Sequence, residues 1–367
     1  MAGIYVHIPF CARRCLYCGF FSTTRHSETG RYTDALCKEL SMMRGWFSGR
    51  AVHTVYFGGG TPSQLSLPQL SRILNEILSM AGSAPDELTV ECNPDDLDLQ
   101  FAAGLREIGF DRISMGVQTF DDGLLRFLGR RHTAQQAADA VRTCRDAGFK
   151  NISIDLMYGL PGQSAEMQQH DLETATELGV QHISSYCLSY EEGSPLERMR
   201  LEGRLTPQSD DTCAEMFSRM CAHMKQAGYE HYEISNFALP GFRSRHNSSY
   251  WDGTPYLGLG AGAHSYDGHV RRWNVPDLDA YVRGIEDGCP ECGSEELTAT
   301  DLFNEKLMLG LRTCDGAQLS EDGFGLISRA AAPYIAGGQL IWEKGRLRIA
   351  EDSLFISDRI ISDLFLD

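Results

Sequence analysis

Six short apolar or β-branched runs, each followed by a segment of helical periodicity, restrict this chain to very few architectures. The runs cover residues 4–8, 52–57, 88–92, 112–117, 152–157 and 182–188. Between them, residues 32–47, 67–80, 133–147 and 165–178 repeat apolar side chains at the spacing of one helix face. Gly82, Gly109, Gly148 and Gly179 stand at the helix-to-strand returns, where a C-cap glycine belongs. Strict alternation of this kind implies a parallel sheet with right-handed crossovers. The fold class expected is therefore α/β, as a barrel or partial barrel of six βα units.

Barrels carry their chemistry at the C-terminal ends of the strands, and unusual residues cluster at those ends here. The first run leads into Cys11, and the second into Gly58-Gly59-Gly60-Thr61-Pro62. The third ends at Glu91, the fourth at Gln118, the fifth carries Asp155, and the sixth ends near Ser189. Beyond about Ser194 the alternation stops. A helical segment over 210–227 leads to YEHYEISNFA and then to SRHNSSYWDGTPYLGLGAGAHSY. From about Leu297 the chain reads as helix (NEKLMLGLR), short hairpin (QLIWEKGRLRIA) and closing helix (DRIISDLF), a small winged-helix-like cap. The division expected is a barrel over 1–230, a joining segment over 231–296 and a C-terminal domain over 297–367.

A formal charge of -17 argues against nucleic-acid binding, which needs a basic surface. The N-terminal residues carry no charged leader or cleavage site, and no apolar stretch reaches the length of a membrane span. A cytosolic protein is expected, with at most peripheral membrane contact. Twelve cysteines in that compartment point to a metal site rather than to a disulfide framework.

Cys11, Cys15 and Cys18 form C-x3-C-x2-C in one tight loop. Three soft thiolates so placed can ligate three irons of a 4Fe-4S cluster and leave the fourth open. The amino and carboxylate groups of S-adenosylmethionine suit that open iron, and electron transfer into the sulfonium then releases a deoxyadenosyl radical. Zinc is the competing reading, but no fourth ligand stands at finger spacing. Cys289 and Cys292 make half a zinc knuckle with no second pair to complete it. The remaining cysteines fall in apolar periodic segments, as small buried hydrophobes do.

The stretch HIPFCARRCLYCGFF resembles the radical S-adenosylmethionine superfamily, and within it the coproporphyrinogen dehydrogenase-like branch, the HemN/HemW group. The resemblance runs from Ile4 to the SDRIISDLF tail. It implies a partial (β/α)6 barrel with a HemN-like C-terminal domain. It implies that Tyr5 lies near the cofactor, as does Tyr17 between the last two cysteines. Gly59, Gly60 and Thr61 match the glycine motif that holds the methionyl amino group through the backbone, where the absence of a side chain permits close approach. Glu91 matches a carboxylate for the ribose or amino group. Gln118, Arg130 and Asp155 match positions that contact a second S-adenosylmethionine in the coproporphyrinogen enzyme. Ser189 and His264 are further candidates for the cofactor pocket.

Two departures separate the chain from the dehydrogenase. Phe20 stands where that enzyme has a fourth cysteine, and only ten residues precede Cys11, in place of a long extension. Both features resemble HemW-type heme chaperones. So does His246-Asn247-Ser248-Ser249-Tyr250-Trp251, the H-N-x-x-Y-W stretch implicated in their heme binding. Imidazole is an ordinary axial ligand of heme iron, and Tyr250 and Trp251 offer flat apolar area. The competing reading makes His246 a hydrogen-bonded histidine packed beneath Trp. His264 is a second candidate ligand, and Arg243, Arg245, Arg271 and Arg272 flank the region as partners for propionates. The resemblance thus implies heme as a third cofactor, and heme-accepting apoproteins such as respiratory cytochromes as partners, with a homodimer left open. Its rivals are an oxygen-independent coproporphyrinogen III oxidase and a radical methyltransferase. A plain electron carrier would need neither the glycine motif nor Glu91.

Overall fold

The computed structural model describes residues 2–47 and 49–367. Six parallel strands form its centre: β1 (Ala2–Ile8), β2 (Val52–Gly59), β3 (Glu87–Cys92), β4 (Arg112–Gln118), β5 (Asn151–Tyr158) and β6 (His182–Cys187). Helices α1 (Thr29–Met42), α2 (Leu67–Ala81), α3 (Leu99–Ile108), α4 (Asp122–Leu128), α5 (Ala134–Asp146) and α6 (Ala165–Glu177) lie between successive strands. Local chemistry sets their ends. Ser66 with Gln69 and Thr133 with Gln136 close capping boxes on α2 and α5. Gly82 ends α2 at φ 71°, a left-handed conformation that costs glycine nothing.

The strands alternate in character. Val55 and Phe57, Leu88 and Val90, Ile113 and Met115, and Ile152 and Ile154 are buried in one core with Leu70, Ile73, Leu74 and Ile77 of α2. Successive residues of a strand point to opposite faces. The other face therefore carries Tyr5 and His7, Thr54 and Tyr56, Glu87 and Glu91, Arg112 and Ser114, Ser153 and Asp155, and His182 and Ser184. The lumen of this half-open barrel is polar.

The chain then continues through α7 (Pro195–Leu201), α8 (Asp210–Gln226), β7 (Glu230–Glu233) and β8 (Asn236–Ala238), and β8 pairs antiparallel with β6. Next come α9 (Arg245–Trp251), β9 (Tyr256–Leu259), β10 (His264–Tyr266), β11 (Val270–Asn274), α10 (Leu278–Glu286) and β12 (Cys292–Glu296). β9 adds in parallel to the free edge of β1, giving the twelve-stranded order β12-β11-β10-β9-β1-β2-β3-β4-β5-β6-β8-β7. Residues 231–296 are thus woven into both flanks of the barrel sheet.

The C-terminal part runs α11 (Ala299–Gly310), β13 (Ala317–Gln318), α12 (Glu321–Ala336), β14 (Leu340–Glu343), β15 (Arg346–Ile349) and α13 (Ser357–Asp363). Its antiparallel sheet has the order β13-β15-β14, so helix, strand, helix and hairpin follow one another as in a winged helix. Among the described residues no helix is long and apolar enough to cross a membrane.

Candidate functional site

A cavity of about 620 Å³ opens at the C-terminal ends of β1–β6. Of the residues singled out from sequence, Cys11, Cys15, Tyr17, Cys18, Gly59, Gly60, Thr61, Glu91, Gln118, Arg130, Asp155 and Ser189 all line it. Residues up to 178 positions apart in sequence thus face one space, because all but Arg130, which follows α4, lie on a parallel strand or in the loop after its C-terminal end.

The cysteine loop is pinned at both ends. Cys11 N–H donates to Thr23 O at 2.8 Å, and Leu16 N–H donates to Leu128 O at 3.1 Å. Donors also point at the sulfurs: Thr61 Oγ1 lies 3.6 Å from Cys11 Sγ, and Arg130 Nη1 lies 3.5 Å from Cys15 Sγ. Burial pushes the Cys11 and Cys18 thiols up, and their neighbouring sulfurs add to the shift. A cationic centre among them would relieve both penalties and favour the thiolates. Among the described residues no three His, Cys, Asp or Glu side chains gather tightly enough to hold a single metal ion. The three thiols border a space instead, and soft donors spread around a space fit a cluster.

The glycine turn packs directly against this loop. Gly59 has φ 111°, and a Cβ there would stand far inside contact distance of His7 Nδ1. A Cβ on Gly60 would stand 2.7 Å from the Pro9 carbonyl carbon. Both glycines are thus required by the protein's own close packing, and the bare backbone left behind faces the cavity. Glu91 accepts from Tyr56 Oη at 2.7 Å and from Gly59 N–H at 3.1 Å. Burial pushes its carboxyl up to about 7. Asp155 is raised in the same direction by burial, against hydrogen bonds from Ser184 and Ser114.

Gln118 sits at φ 74° beside an irregularity in the β4–β5 register. A left-handed residue without the freedom of glycine costs on the order of 1 kcal/mol, and such strain collects at binding sites. Arg130 Nη2 donates to Asn93 Oδ1 at 2.8 Å and to Gly116 O at 2.5 Å, while its buried Nε has no partner. Tyr5 lies deeper in the lumen: its hydroxyl is 3.1 Å from His7 Nδ1 and its ring stacks on Tyr56. It does not line the cavity.

The H-N-x-x-Y-W stretch is found at the other end of the lumen. Ser244 caps α9, and buried Glu87 accepts from Arg245 N–H at 2.9 Å and from His246 N–H at 3.0 Å. His246 is fully buried and stacks on Tyr56 with centroids 5.0 Å apart. Its Nδ1 meets Thr54 Oγ1 at 2.9 Å and its Nε2 meets Tyr250 Oη at 3.0 Å. Both nitrogens are engaged, and burial lowers its pKa to about 3, so the ring is neutral. His246 is a plug of the barrel floor, packed and hydrogen-bonded, with no nitrogen open to iron in this arrangement. Tyr56 links the two ends, stacked on His246 and bonded to Glu91.

Trp251 instead faces outward into a second cavity of about 600 Å³ between α9 and the C-terminal part. Tyr232, Arg243, Tyr266, Lys306 and Arg346 share its walls. Asn247 lies on α9 but lines neither cavity. Like Tyr5, His264 does not line the rim cavity. It sits exposed on β10, stacked on Trp273, because β10 belongs to the antiparallel extension beyond β9.

Tyr56, Asn93, Ser114 and Tyr186 are not among the site residues expected from sequence, and Cys187, expected to be a small buried hydrophobe, is exposed; all but Tyr56 line the rim cavity. The alternation of polar with apolar residues in each strand was the signal for the lumen residues among them.

The half-open parallel barrel with its wing defines a radical S-adenosylmethionine protein, and residues 5–175 match the Radical SAM superfamily model. The chain superposes on coproporphyrinogen III oxidase (HemN) from Escherichia coli with a TM-score of 0.85, over 99% of this chain and 90% of that one at 24% identity, a likeness of fold. It is 39% identical to heme chaperone HemW of Lactococcus lactis over 85% of this chain and 82% of that protein. It is 35% identical to heme chaperone HemW of Mycobacterium tuberculosis over 99% of this chain and 94% of that protein. The chain belongs to the HemW family.

Proposed function

We propose that this protein is a cytoplasmic heme chaperone, which binds heme and passes it to heme-requiring apoproteins such as respiratory cytochromes. In this reading the rim cavity holds a 4Fe-4S cluster through Cys11, Cys15 and Cys18, with S-adenosylmethionine beside it. The observation that supports it most is the convergence of three thiols, a bare glycine turn and Glu91 on one cavity, in a chain so similar to proteins named as heme chaperones. When bound, the cluster would supply the one-electron reducing chemistry that a sulfonium requires.

The chain's own groups do the rest. Thr61 and Arg130 donate toward the sulfurs, Gly59 and Gly60 offer peptide groups at close range, and Glu91 presents a carboxylate to the N–H groups of the methionyl amine. Because Glu91 titrates near 7, its anionic form is half lost at neutral pH. S-adenosylmethionine affinity, read by calorimetry on the cluster-loaded protein, is therefore expected to fall as pH drops from 8 to 6. The limiting slope is about tenfold per unit. Glu91→Gln should bind weakly at both pH values, without this slope.

Heme, the cargo, is assigned in this proposal to the second cavity. Trp251 and Tyr266 offer apolar ring area there, and Arg243, Lys306 and Arg346 offer cations for two propionates. The test is hemin titration of the anaerobically reconstituted protein, followed by the Soret band. A saturable one-to-one complex is expected, weakened about tenfold in Trp251→Ala. If hemin does not saturate while coproporphyrinogen III is converted with release of deoxyadenosine, the chain is an oxidase and the chaperone reading fails.

A further inference from the structure

Two sulfurs outside the cysteine loop meet at the edge of the rim cavity. Cys187, the last residue of β6, lines the cavity and is exposed to it. Cys213, in the first turn of α8, is buried behind it. A Cβ placed on Gly159 would stand 3.1 Å from Cys213 Sγ and 3.3 Å from Cys187 Sγ, so both sulfurs border one point just past the end of β5. The two thiols neighbour each other closely enough to shift each other's ionisation, and the buried phenol of Tyr158 neighbours Cys187 in the same way. Cys187 thus stands between Tyr158 and Cys213, and lines the same space as Cys11, Glu91 and Asp155.

None of the three is suited to ionic chemistry. Burial pushes the Cys187 thiol up to about 12, and both Tyr158 and Cys213 are shifted upward by the same cause. The thiolate is the nucleophile and the metal ligand, and it is suppressed here. A protonated thiol retains a different reactivity, because its sulfur–hydrogen bond is weaker than the carbon–hydrogen bonds of a sugar or a methyl group.

We propose that Cys187 donates a hydrogen atom to carbon-centred radicals formed in the rim cavity, with Cys213 holding its sulfur at the cavity edge. This rests on the reading that S-adenosylmethionine is cleaved there. In the step, the sulfur–hydrogen bond of Cys187 breaks homolytically and a carbon–hydrogen bond forms, leaving a thiyl radical on sulfur with no net movement of charge. One electron from a low-potential one-electron reductant and one proton from solvent restore the thiol. The residue would give the chain a way to quench a radical that finds no substrate.

The thiol hydrogen exchanges with solvent, which makes the donor traceable. The reconstituted full chain is incubated in D2O with S-adenosylmethionine and dithionite, without heme, and the deoxyadenosine is weighed by mass spectrometry. Wild type is expected to place solvent deuterium in the product, and Cys187→Ala to lower the labelled fraction severalfold with unchanged iron content. Separately, diamide treatment of the cluster-free chain should give a Cys187–Cys213 disulfide in peptide mapping. Deoxyadenosine whose label is the same in both proteins overturns the donor assignment alone. Failure of the disulfide to form overturns the pairing. Absence of deoxyadenosine from both proteins overturns the cleavage reading and this proposal with it.

Discussion

Cys15→Ala is expected to reduce iron and sulfide after anaerobic reconstitution to background, and to abolish the broad absorption near 400 nm that a cluster gives. Cys15 carries no packing duty that would confuse the result. It is only partly buried, on a loop held in place by Leu16 N–H and by the Cys11 peptide rather than by its own side chain. Its sulfur meets Arg130 Nη1 and otherwise borders the cavity. Thermal stability of the apoprotein should therefore move little, as surface substitutions seldom exceed about 0.5 kcal/mol. Cys18→Ala should behave alike. Cys11→Ala should lose the cluster and also some stability, since Cys11 is 8% exposed and packed at the end of β1. Cys289→Ala and Cys292→Ala serve as the contrast: both residues are exposed, far along the chain, and should leave iron content unchanged. Retention of four irons in Cys15→Ala would refute the triad as the ligand set.

The second large effect is expected at His246, and it is one of stability. Truncation to alanine removes two hydrogen bonds and the stacking on Tyr56, and leaves Thr54 Oγ1 and Tyr250 Oη facing a void. Lost packing and orphaned hydroxyls together cost about 3 kcal/mol. For a chain of 367 residues that is a fall in Tm of about 4 °C. The pH dependence carries a sign of its own. The buried ring, beside the guanidinium of Arg112, refuses a proton until about pH 3, whereas an ordinary histidine accepts one at 6.5. The unfolded chain therefore takes up a proton that the folded chain does not, and this residue's contribution is full above 6.5 and is lost as pH falls from 6.5 toward 3. The limiting slope is about 1.4 kcal/mol per pH unit. Glu91 and Glu233, both raised to about 7, act in the opposite direction, stabilising below 4.5 and fading as pH rises toward 7. Denaturant titrations of wild type and His246→Gln at several pH values isolate the histidine. Equal slopes for the two proteins between pH 6.5 and 4 would show that His246 is not buried as described. The same experiment guards the hemin titration, because a His246 variant that binds heme poorly has first to be shown to be folded.

Much of this arrangement was legible before the structure. The six runs end within one or two residues of the observed strands, because β-branched residues bounded by glycine and proline leave little choice of element. The rim followed from topology: parallel strands with helical returns bring their C-terminal ends together wherever they lie in sequence. Helix α9 was not legible, since seven residues of RHNSSYW carry no periodicity and the helix is held by Ser244 and by Glu87, more than 150 positions earlier. The fate of His246 was hidden for the same reason. A histidine beside Tyr and Trp reads as a ligand until Thr54 is known to stand opposite it. The placement of His264 was not legible either: its neighbourhood, rich in glycine, resembles a cofactor turn, while its strand pairs it with Trp273 in the antiparallel extension.

The order in which the chain leaves the ribosome gives the seating of β9 a further meaning. β1 lies inside the sheet, yet its second neighbour arrives only with residues 256–259, roughly 250 positions later. At about 5–20 residues per second that delay is on the order of 10–50 s. Throughout it, β1 and the cysteine loop it carries have one bare edge, which is where foreign strands add. The floor plug is also missing until α9 has emerged, so Glu87 and Arg112 remain in water. A nascent chain halted at residue 230 is consequently an unfinished vessel, open at its base and along one side. The strand that carries the cysteine loop is thus made first, and its free edge is covered only tens of seconds later.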